Sequence, residues 1–527
     1  MTPRITDIEL SQFQVFGDTV RIPIAPITLL FGPNSAGKSS VEDALRLMKA
    51  FWLEAFVQNI DGKFSKTGNM SRTLARDWRK DASNQYVNQS LRVAVGIECL
   101  MYELFDPSLM TTGILPFDLL RNHDPVRFQV ILEFSAPISN PQIRIEIKIN
   151  EISFYKFREN ESLSINLRHS VFPNPKARIP VTTEYTKNKS PITYKKWVQL
   201  DGLVAITDTY EIDTFKFIKQ LELKKSLPVD LRGFYEAMNQ LSEFNRIILS
   251  HFSKRIVQAC SINLVTASRT TPSDNELFFI LDKNRQVVNP QRYGVGLESD
   301  EQYKDLVRSA ALSVLFNNKE IEPTEDELKA IEVVEMINRL LETHLFTDRV
   351  YNLDADITKF VPLAKAGGNS IEPEAWLVSL RICDAKGRRH SFTDVGSGLG
   401  YVLPVFLALA GRTHCLIQQP ELHLHPALQA ETADAFIESS KKFNIIVETH
   451  SEHLLLRLLR RIRQTSAGST LNIDHPLAPT DVAIIYFEPK ADDVTHLTVL
   501  QITEQGDFVG RWPRGFFTER DEELFGE

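Results

Sequence analysis

Gly32-Pro33-Asn34-Ser35-Ala36-Gly37-Lys38-Ser39 is the stretch that decides the fold. It matches the pattern GxxxxGK[ST] at every fixed position. A chance match is expected only roughly a few times per hundred chains of this length. Before it, Ile27 to Phe31 is a short, wholly apolar run, as expected of a strand covered on both faces. After it, Val41, Ala44, Leu45, Met48 and Phe51 recur near helical spacing, which predicts a helix from Ser40 to Phe56. Strand, glycine loop and helix in that order set backbone N–H groups around phosphate oxygens. Lys38 can then reach the β and γ phosphates and Ser39 can coordinate Mg²⁺. An ordinary strand–turn–helix corner is the competing reading. The candidate nucleotide contacts are Gly32, Pro33, Asn34, Ser35, Ala36, Gly37, Lys38, Ser39 and Ser40.

The chain around this loop has 527 residues, with 60 Lys plus Arg against 68 Asp plus Glu and a formal charge of -8. At 43% hydrophobic residues it sits near the globular average, which excludes a collagenous, coiled-coil or largely disordered chain. The mild acidity excludes a histone-like basic coat but not a local nucleic-acid groove, because net charge averages over the whole surface. No apolar run approaches the roughly 18–20 residues of a membrane helix. Met1-Thr2-Pro3-Arg4 leads directly into an alternating segment without an apolar signal core. The four cysteines, at 99, 260, 383 and 415, have no CxxC or metal-ligand spacing. Together these features predict a cytoplasmic chain with buried structural thiols and no membrane partner.

Along the chain, residues 4–12 and 20–31 read as strands. Residues 60–90 read as loop with a short helix. Strands follow at Leu91–Cys99, Phe128–Phe134, Gln142–Phe154, Ser164–Leu167 and Tyr194–Ile206. Residues 207–262 look mainly helical, Leu231–Ser250 most clearly, and Ile262–Ala267 is a short strand leading to Arg269. Glu325–His344 is a helix. Ala375–Cys383 and Arg389–Phe392 form a strand pair about the turn Asp384-Ala385-Lys386-Gly387. The last third alternates: helix Tyr401–Ala410, strand Cys415–Gln418, helix Pro426–Ser439, strand Asn444–Glu448, helix Glu452–Ile462, and strands Val482–Phe487 and His496–Gln501. The fold class is therefore α/β. Its expected divisions are residues 1–170 with the P-loop and a β subdomain, 171–374 as a β-then-helical insertion, and 375–527 as a C-terminal lobe.

Three further blocks bear on chemistry. Asp394-Val395-Gly396-Ser397-Gly398-Leu399-Gly400-Tyr401 is a glycine-rich turn opening a helix, whose free N–H groups suit an anion; a plain helix entry reads equally well. Cys415-Leu416-Ile417-Gln418-Gln419-Pro420-Glu421 runs into Leu422-His423-Leu424-His425-Pro426, and Asn444-Ile445-Ile446-Val447 into Glu448-Thr449-His450-Ser451-Glu452-His453. His423, His425 and His453 follow no recognised metal-ligand spacing.

The order P-loop, signature turn, Walker B strand and switch histidine resembles ABC-type ATPases of the SMC, Rad50 and OLD group. The blocks ELHLHP and ETHSEHLLLRL, with the ending Gly506-Asp507-Phe508-Val509-Gly510-Arg511-Trp512-Pro513-Arg514-Gly515-Phe516-Phe517, resemble bacterial ATPases of that group. Some of these serve in antiphage systems, notably the PtuA-type ATPases of Septu and retron-associated systems. The resemblance covers about residues 1–60 and 385–527. It implies an ABC-type head built from both ends of the chain, with the middle as an insertion. It implies ATP and Mg²⁺ as cofactors, with Lys38 and Ser39 as ligands and His450 as γ-phosphate or water sensor. Ser397 and Gly398 become a signature surface that completes the site of an opposite subunit. The implied partners are a second copy or a higher oligomer through the heads, and a separate nuclease effector of HNH type by analogy; nucleic acid is a further candidate.

One departure bears on mechanism. In the resembling proteins the Walker B strand ends in an acidic residue, but positions 418 and 419 are both glutamine here. A carboxylate holds hydrated Mg²⁺ or helps deprotonate water; an amide of the same shape has no charge and is no base. Gln418 in the acidic position predicts ATP binding in excess of hydrolysis, while Glu421 is near enough in sequence to supply a carboxylate. Lys38, Gln418, Gln419, Glu421 and His450 are the candidate catalytic residues, with Ser39 and Gln418 the candidate metal ligands.

Arg457, Arg460, Arg461 and Arg463 lie mostly on one helical face. They read either as a solvated or salt-bridged face, with the acidic end Glu519–Glu523 a possible partner, or as a contact for a phosphate backbone. Arg269 is expected to pair structurally. Two other functions are weighed: an OLD-type nuclease, for whose Toprim domain the residues after His453 are too few, and an SMC/Rad50-like repair ATPase, whose long heptads the middle region does not sustain.

Overall fold

A computed structural model of the chain describes residues 3–53, 90–100, 125–134, 143–158, 162–165, 178–187, 190–199, 252–269, 278–282, 284–288, 303–344, 351–360, 375–392, 394–395, 397–411, 413–468, 476–489 and 495–509. Several sequence expectations fall outside them: the loop and helix of 60–90, the helix Leu231–Ser250, and the endings Gly510–Phe517 and Glu519–Glu523. The chain divides into two units. The first is Met1–Ala25, Gly32–Ile262 and Ile485–Val499; the second is Pro26–Phe31, Asn263–Ile484 and Leu500–Glu527.

The chain opens with strands β1 (Arg4–Ser11), β2 (Val20–Pro23) and β3 (Ile27–Phe31), then helix α1 (Ser40–Trp52). β4 (Leu91–Leu100), β5 (Pro125–Phe134), β6 (Ile143–Ile149), β7 (Ile152–Arg158) and β8 (Ser162–Ile165) follow. In the first unit these make an antiparallel sheet in the order β2-β1-β4-β5-β6-β7-β8. Val93, Val95, Ile97, Phe128, Val130 and Leu132 are all buried, and Phe128 meets Phe252 edge-on at 5.3 Å. Asp7 is buried within this sheet and takes ion pairs from Arg21 at 3.2 Å and from Arg127. Gly96 stands opposite Asp7, and a Cβ there would lie 2.0 Å from the carboxylate, so the charged side chain occupies the space that glycine leaves. β9 (Arg178–Lys187) and β10 (Ser190–Gln199) form a separate hairpin.

The single strand expected over Gln142–Phe154 is instead the hairpin β6–β7. Its turn residues Asn150 and Glu151 have φ of 49° and 66°. Two consecutive left-handed residues match the twist of a two-residue hairpin. The sequence hides this turn because glutamate stands where glycine usually marks it.

β11 (Ile262–Val265), β17 (His414–Gln418), β18 (Ile445–Glu448), β19 (Val482–Pro489), β20 (Thr495–Ile502) and β21 (Phe508–Val509) join β3 in a seven-stranded sheet of order β11-β17-β18-β3-β19-β20-β21. β17, β18 and β3 are parallel neighbours: Gln418 aligns with Glu448, and Glu448 with Leu30. All five residues of β3 are buried. A second sheet holds β12 (Phe278–Leu281), β13 (Val287–Val288), β14 (Tyr351–Phe360), β15 (Ala375–Asp384) and β16 (Arg389–His390). The β15–β16 turn is the expected one, with Gly387 at φ 74°.

Helices α2 (Lys304–Asn317) and α3 (Glu325–His344) pack on β14, while α4 (Ser397–Ala410), α5 (Pro426–Ser440) and α6 (Glu452–Ser466) belong to the alternating last third. No described helix is long and apolar enough to cross a membrane. The sequence reading passed over α2 and β14. In β14 the acids Asp354 and Asp356 interrupt the apolar pattern, and Arg389 and Arg381 pair with them across the sheet.

α5 carries two buried acids one turn apart, and each is neutralised from a different neighbour. Glu438 pairs with Arg339 and, at 2.8 Å, with His344 of α3. Asp434 accepts from Arg457 at 2.6 Å and Arg461 at 2.7 Å on α6. Among the described residues the partner of Arg457 and Arg461 is therefore Asp434, and the two form a salt-bridged face. Arg463 caps the β20–β21 turn through the Gln505 carbonyl at 2.8 Å. Burial pushes the Asp434 carboxyl up, but hydrogen bonds and charge from Arg461 and Arg457 outweigh it and hold it below the usual carboxylate range. Its stabilisation is thus complete above the unfolded value near 3.9 and is lost as pH falls through the lower folded value. Asp434→Asn leaves two partly buried guanidinium groups unpaired and is expected to cost about 3 kcal/mol, read by urea unfolding at pH 7, with the gap to the parent closing in acid.

Candidate functional site

In the first unit, the loop after β3 folds back on its own carbonyls. Gly32, Ser35 and Gly37 have φ of 134°, 64° and 93°, conformations open mainly to glycine. A Cβ at Gly32 would meet the Phe487 carbonyl at 2.4 Å, and one at Gly37 would meet Val15 at 2.3 Å. Lys38 is buried, and its Nζ donates to the carbonyls of Gly32 at 2.9 Å and Pro33 at 2.8 Å. Pro33, Asn34, Ser35 and Ser39 are exposed; Ala36, Gly37 and Ser40 are buried. Ser39 stands at the N-cap of α1, and its hydroxyl makes no capping bond within the described residues. Gln14, itself at φ 51°, braces this corner: it accepts from the Ser40 hydroxyl and donates to Asp43 at 2.7 Å. Sequence reasoning missed Gln14 because a polar residue in a loop carries no periodic signal.

In the second unit, the carboxyl ends of β17 and β18 are tied together by backbone and side chains. The Gln419 N–H donates to the Glu448 carbonyl at 2.6 Å, and Gln419 is left-handed at φ 47°. The Gln418 amide oxygen accepts from the Ala267 N–H at 3.2 Å. Both oxygens of Glu421 are engaged by the switch loop: Oε2 accepts from the Thr449 hydroxyl at 2.8 Å, and Oε1 from the His450 N–H at 2.7 Å. Thr449 accepts in turn from the Ser451 N–H at 3.0 Å. Gln429 donates to the Leu424 carbonyl at 3.0 Å and accepts from the Ser451 hydroxyl at 2.7 Å, while that hydroxyl caps α6 through the Leu454 N–H. The Walker B-like loop and the switch loop are therefore one hydrogen-bonded body. The His450 side chain is exposed.

The start of α4 lies against the same loop. A Cβ on Gly398 would be in ordinary contact, 3.6 Å from the His423 carbonyl, and the Tyr401 ring stacks on His423 at 4.1 Å. α4 begins at Ser397, one turn before the expected Tyr401. His423 is thus stacked, and His425 caps α5 by accepting from the Ala427 N–H at 3.3 Å. Arg269 is buried and, among the described residues, donates to backbone carbonyls: Tyr401 at 3.0 Å, Thr266 at 3.1 Å, Gln418 at 2.8 Å and Gln419 at 2.7 Å. Burial pulls its guanidinium below the ordinary value, against the opposing charge of Glu421. Thr449, inside one quoted block, and Gln429, just beyond another, were not singled out from sequence; only the fold brings them to Glu421 and Ser451.

Comparison with known proteins adds a family and three likenesses. A family model described as AAA ATPase domain matches residues 4–455. The chain is similar to an Smc head bound to the C-terminal winged-helix domain of ScpA, at 12% identity and TM-score 0.39, covering 95% of this chain and 98% of that one. It is similar to an Smc head with an extended coiled coil bound to the C-terminal domain of ScpA derived from Pyrococcus furiosus, at 13% identity and TM-score 0.34, covering 95% and 96%. It is also similar to the SMC head of Thermotoga maritima, at 10% identity and TM-score 0.34, covering 95% and 100%. No curated protein matched the sequence.

The Glu421 bonds yield a direct test. Glu421→Gln presents an NH₂ group to at least one donor and is expected to cost about 2 kcal/mol of local stability. Hydrogen exchange at the His450 and Ser451 amides should accelerate by an order of magnitude or more, with little change in β4 and β5.

Proposed function

The chain belongs to the AAA ATPase domain family, and on that premise we propose that it binds ATP with Mg²⁺ at the Gly32–Ser40 loop and acts chiefly through binding, not turnover. The observation that carries this reading is the parallel register of β17, β18 and β3. Gln418, Glu448 and Leu30 align at the carboxyl edge of one sheet, and β3 runs directly into the glycine loop. Ligands of open parallel sheets bind at that edge.

The residues present fit the nucleotide. The left-handed loop conformations and the start of α1 supply backbone donors for phosphate oxygens, and Lys38 supplies the positive charge that faces β and γ oxygens. Mg²⁺ when bound neutralises phosphate charge, and Ser39 and Gln418 are the residues that would hold it. Gln418 offers a neutral oxygen in place of a carboxylate, which weakens the metal's hold and removes a base. Gln419 shares the strand end, Glu421 holds the His450 backbone, and His450 would be the γ-phosphate sensor. Hydrolysis is then slow and the ATP-bound state long-lived.

Its output is a head-to-head dimer or a higher oligomer, in which Ser397 and Gly398 of one subunit face nucleotide held by the other. The resemblance of ELHLHP and ETHSEHLLLRL supports a role in a prokaryotic antiphage complex, with a separate nuclease effector. An SMC/Rad50-like repair ATPase shares the site and differs in the partner.

Light scattering after gel filtration checks the switch: the mass is expected to double with ATP and Mg²⁺, and Lys38→Ala is expected to remain at the lower mass. A single mass under both conditions sinks the reading. Gln418→Glu keeps an acceptor for the Ala267 N–H, so the fold should survive, and ATP turnover should rise at least about tenfold. Co-expression with neighbouring genes separates the two readings, since a co-purifying HNH nuclease supports defence and a repair nuclease the alternative.

A further inference from the structure

Arg269 forms a link that the proposed function does not use. The guanidinium bridges elements far apart in sequence: the end of β17 through the Gln418 and Gln419 carbonyls, and the first turn of α4 through the Tyr401 carbonyl. Tyr401 lies inside α4, where a carbonyl normally serves the helix's own N–H groups. Pro404, also inside α4, has no N–H for the Gly400 carbonyl, so the turn that Arg269 enters is one helical hydrogen bond short. The same segment grips β17 a second time, through the Ala267 N–H on the Gln418 side chain.

We propose that Arg269 is a positioning residue that couples the Walker B strand end to the signature helix. The inference rests on the ATP-switch reading for its purpose, but the coupling itself is a property of the free chain. A planar fork reaching several carbonyls moves the Gln418–Gln419 backbone and the first turn of α4 as one piece. A shift at either Gln418 or Gln419 then reorients Ser397 and Gly398, the surface offered to a second subunit.

Hydrogen–deuterium exchange of the full chain without nucleotide tests the coupling. In Arg269→Lys, one ammonium cannot span the three sites, so peptides over 398–405 and 418–424 are expected to exchange about tenfold faster together, with 445–449 unchanged. Acceleration in 418–424 alone overturns the proposal. If Arg269→Lys loosens the whole chain, Pro404→Ala decides. It restores the N–H missing for the Gly400 carbonyl, so 398–405 should slow, and 418–424, which the substitution does not touch, should slow with it; no change in 418–424 overturns the coupling.

Addition of ATP gives the functional arm. Arg269→Lys should weaken ATP-driven dimerisation about tenfold while affinity for a fluorescent ATP analogue, set by the Gly32–Ser40 loop, falls far less. A wild-type chain that dimerises with ATP alongside an equally competent Arg269→Lys overturns the inference. A wild-type chain that does not dimerise overturns the switch reading, and the exchange measurements still decide the coupling.

Discussion

Parallel pairing of β3 with β18, and of β18 with β17, is the constraint on which the rest depends. The strands come from opposite ends of the sequence, yet Leu30, Glu448 and Gln418 share one register. Each strand is nearly all apolar and buried, so the pairing is stabilised by covering both faces and not by one amphipathic side. A slip by one residue would carry the Gln418 and His450 loops out of alignment, because each begins where its strand ends.

Around that edge, most of the positioning is done by backbone groups. Arg269 holds carbonyls, Glu421 holds the His450 amide, and Gln429 links a carbonyl to the Ser451 hydroxyl. Such bonds tolerate a change in side-chain charge at position 418, since the Gln418 oxygen that Ala267 uses is present in glutamate as well as glutamine. The scaffold and the chemistry are separable here. Farther from the edge, α5 is fixed by two buried acids that draw cations from α3 and α6, so the helix behind the strands is pinned from two sides.

The candidate site was legible in sequence where a loop must take a left-handed turn. The P-loop glycines and Lys38 could be read directly, because only glycine fits the conformations at 32 and 37 without strain. The histidines were less legible. His423 and His425 differ in surroundings in ways their spacing does not encode: one stacks on Tyr401 and the other caps a helix. The hairpin at Asn150-Glu151 was hidden because the usual glycine signal is missing there, and β14 because its outward acids find arginines on other strands.

By itself the sequence determined the α/β class, the glycine loop, the order of the blocks, and the uncharged amide at Gln418, for each is a matter of local periodicity or residue chemistry. Tertiary structure alone decided who serves whom. Arg269 reaches Gln418, Gln419 and Tyr401, and Arg457 and Arg461 reach Asp434, across gaps in sequence that no spacing rule spans. A buried charge must find a partner, but which partner it finds is fixed only when the strands and helices pack.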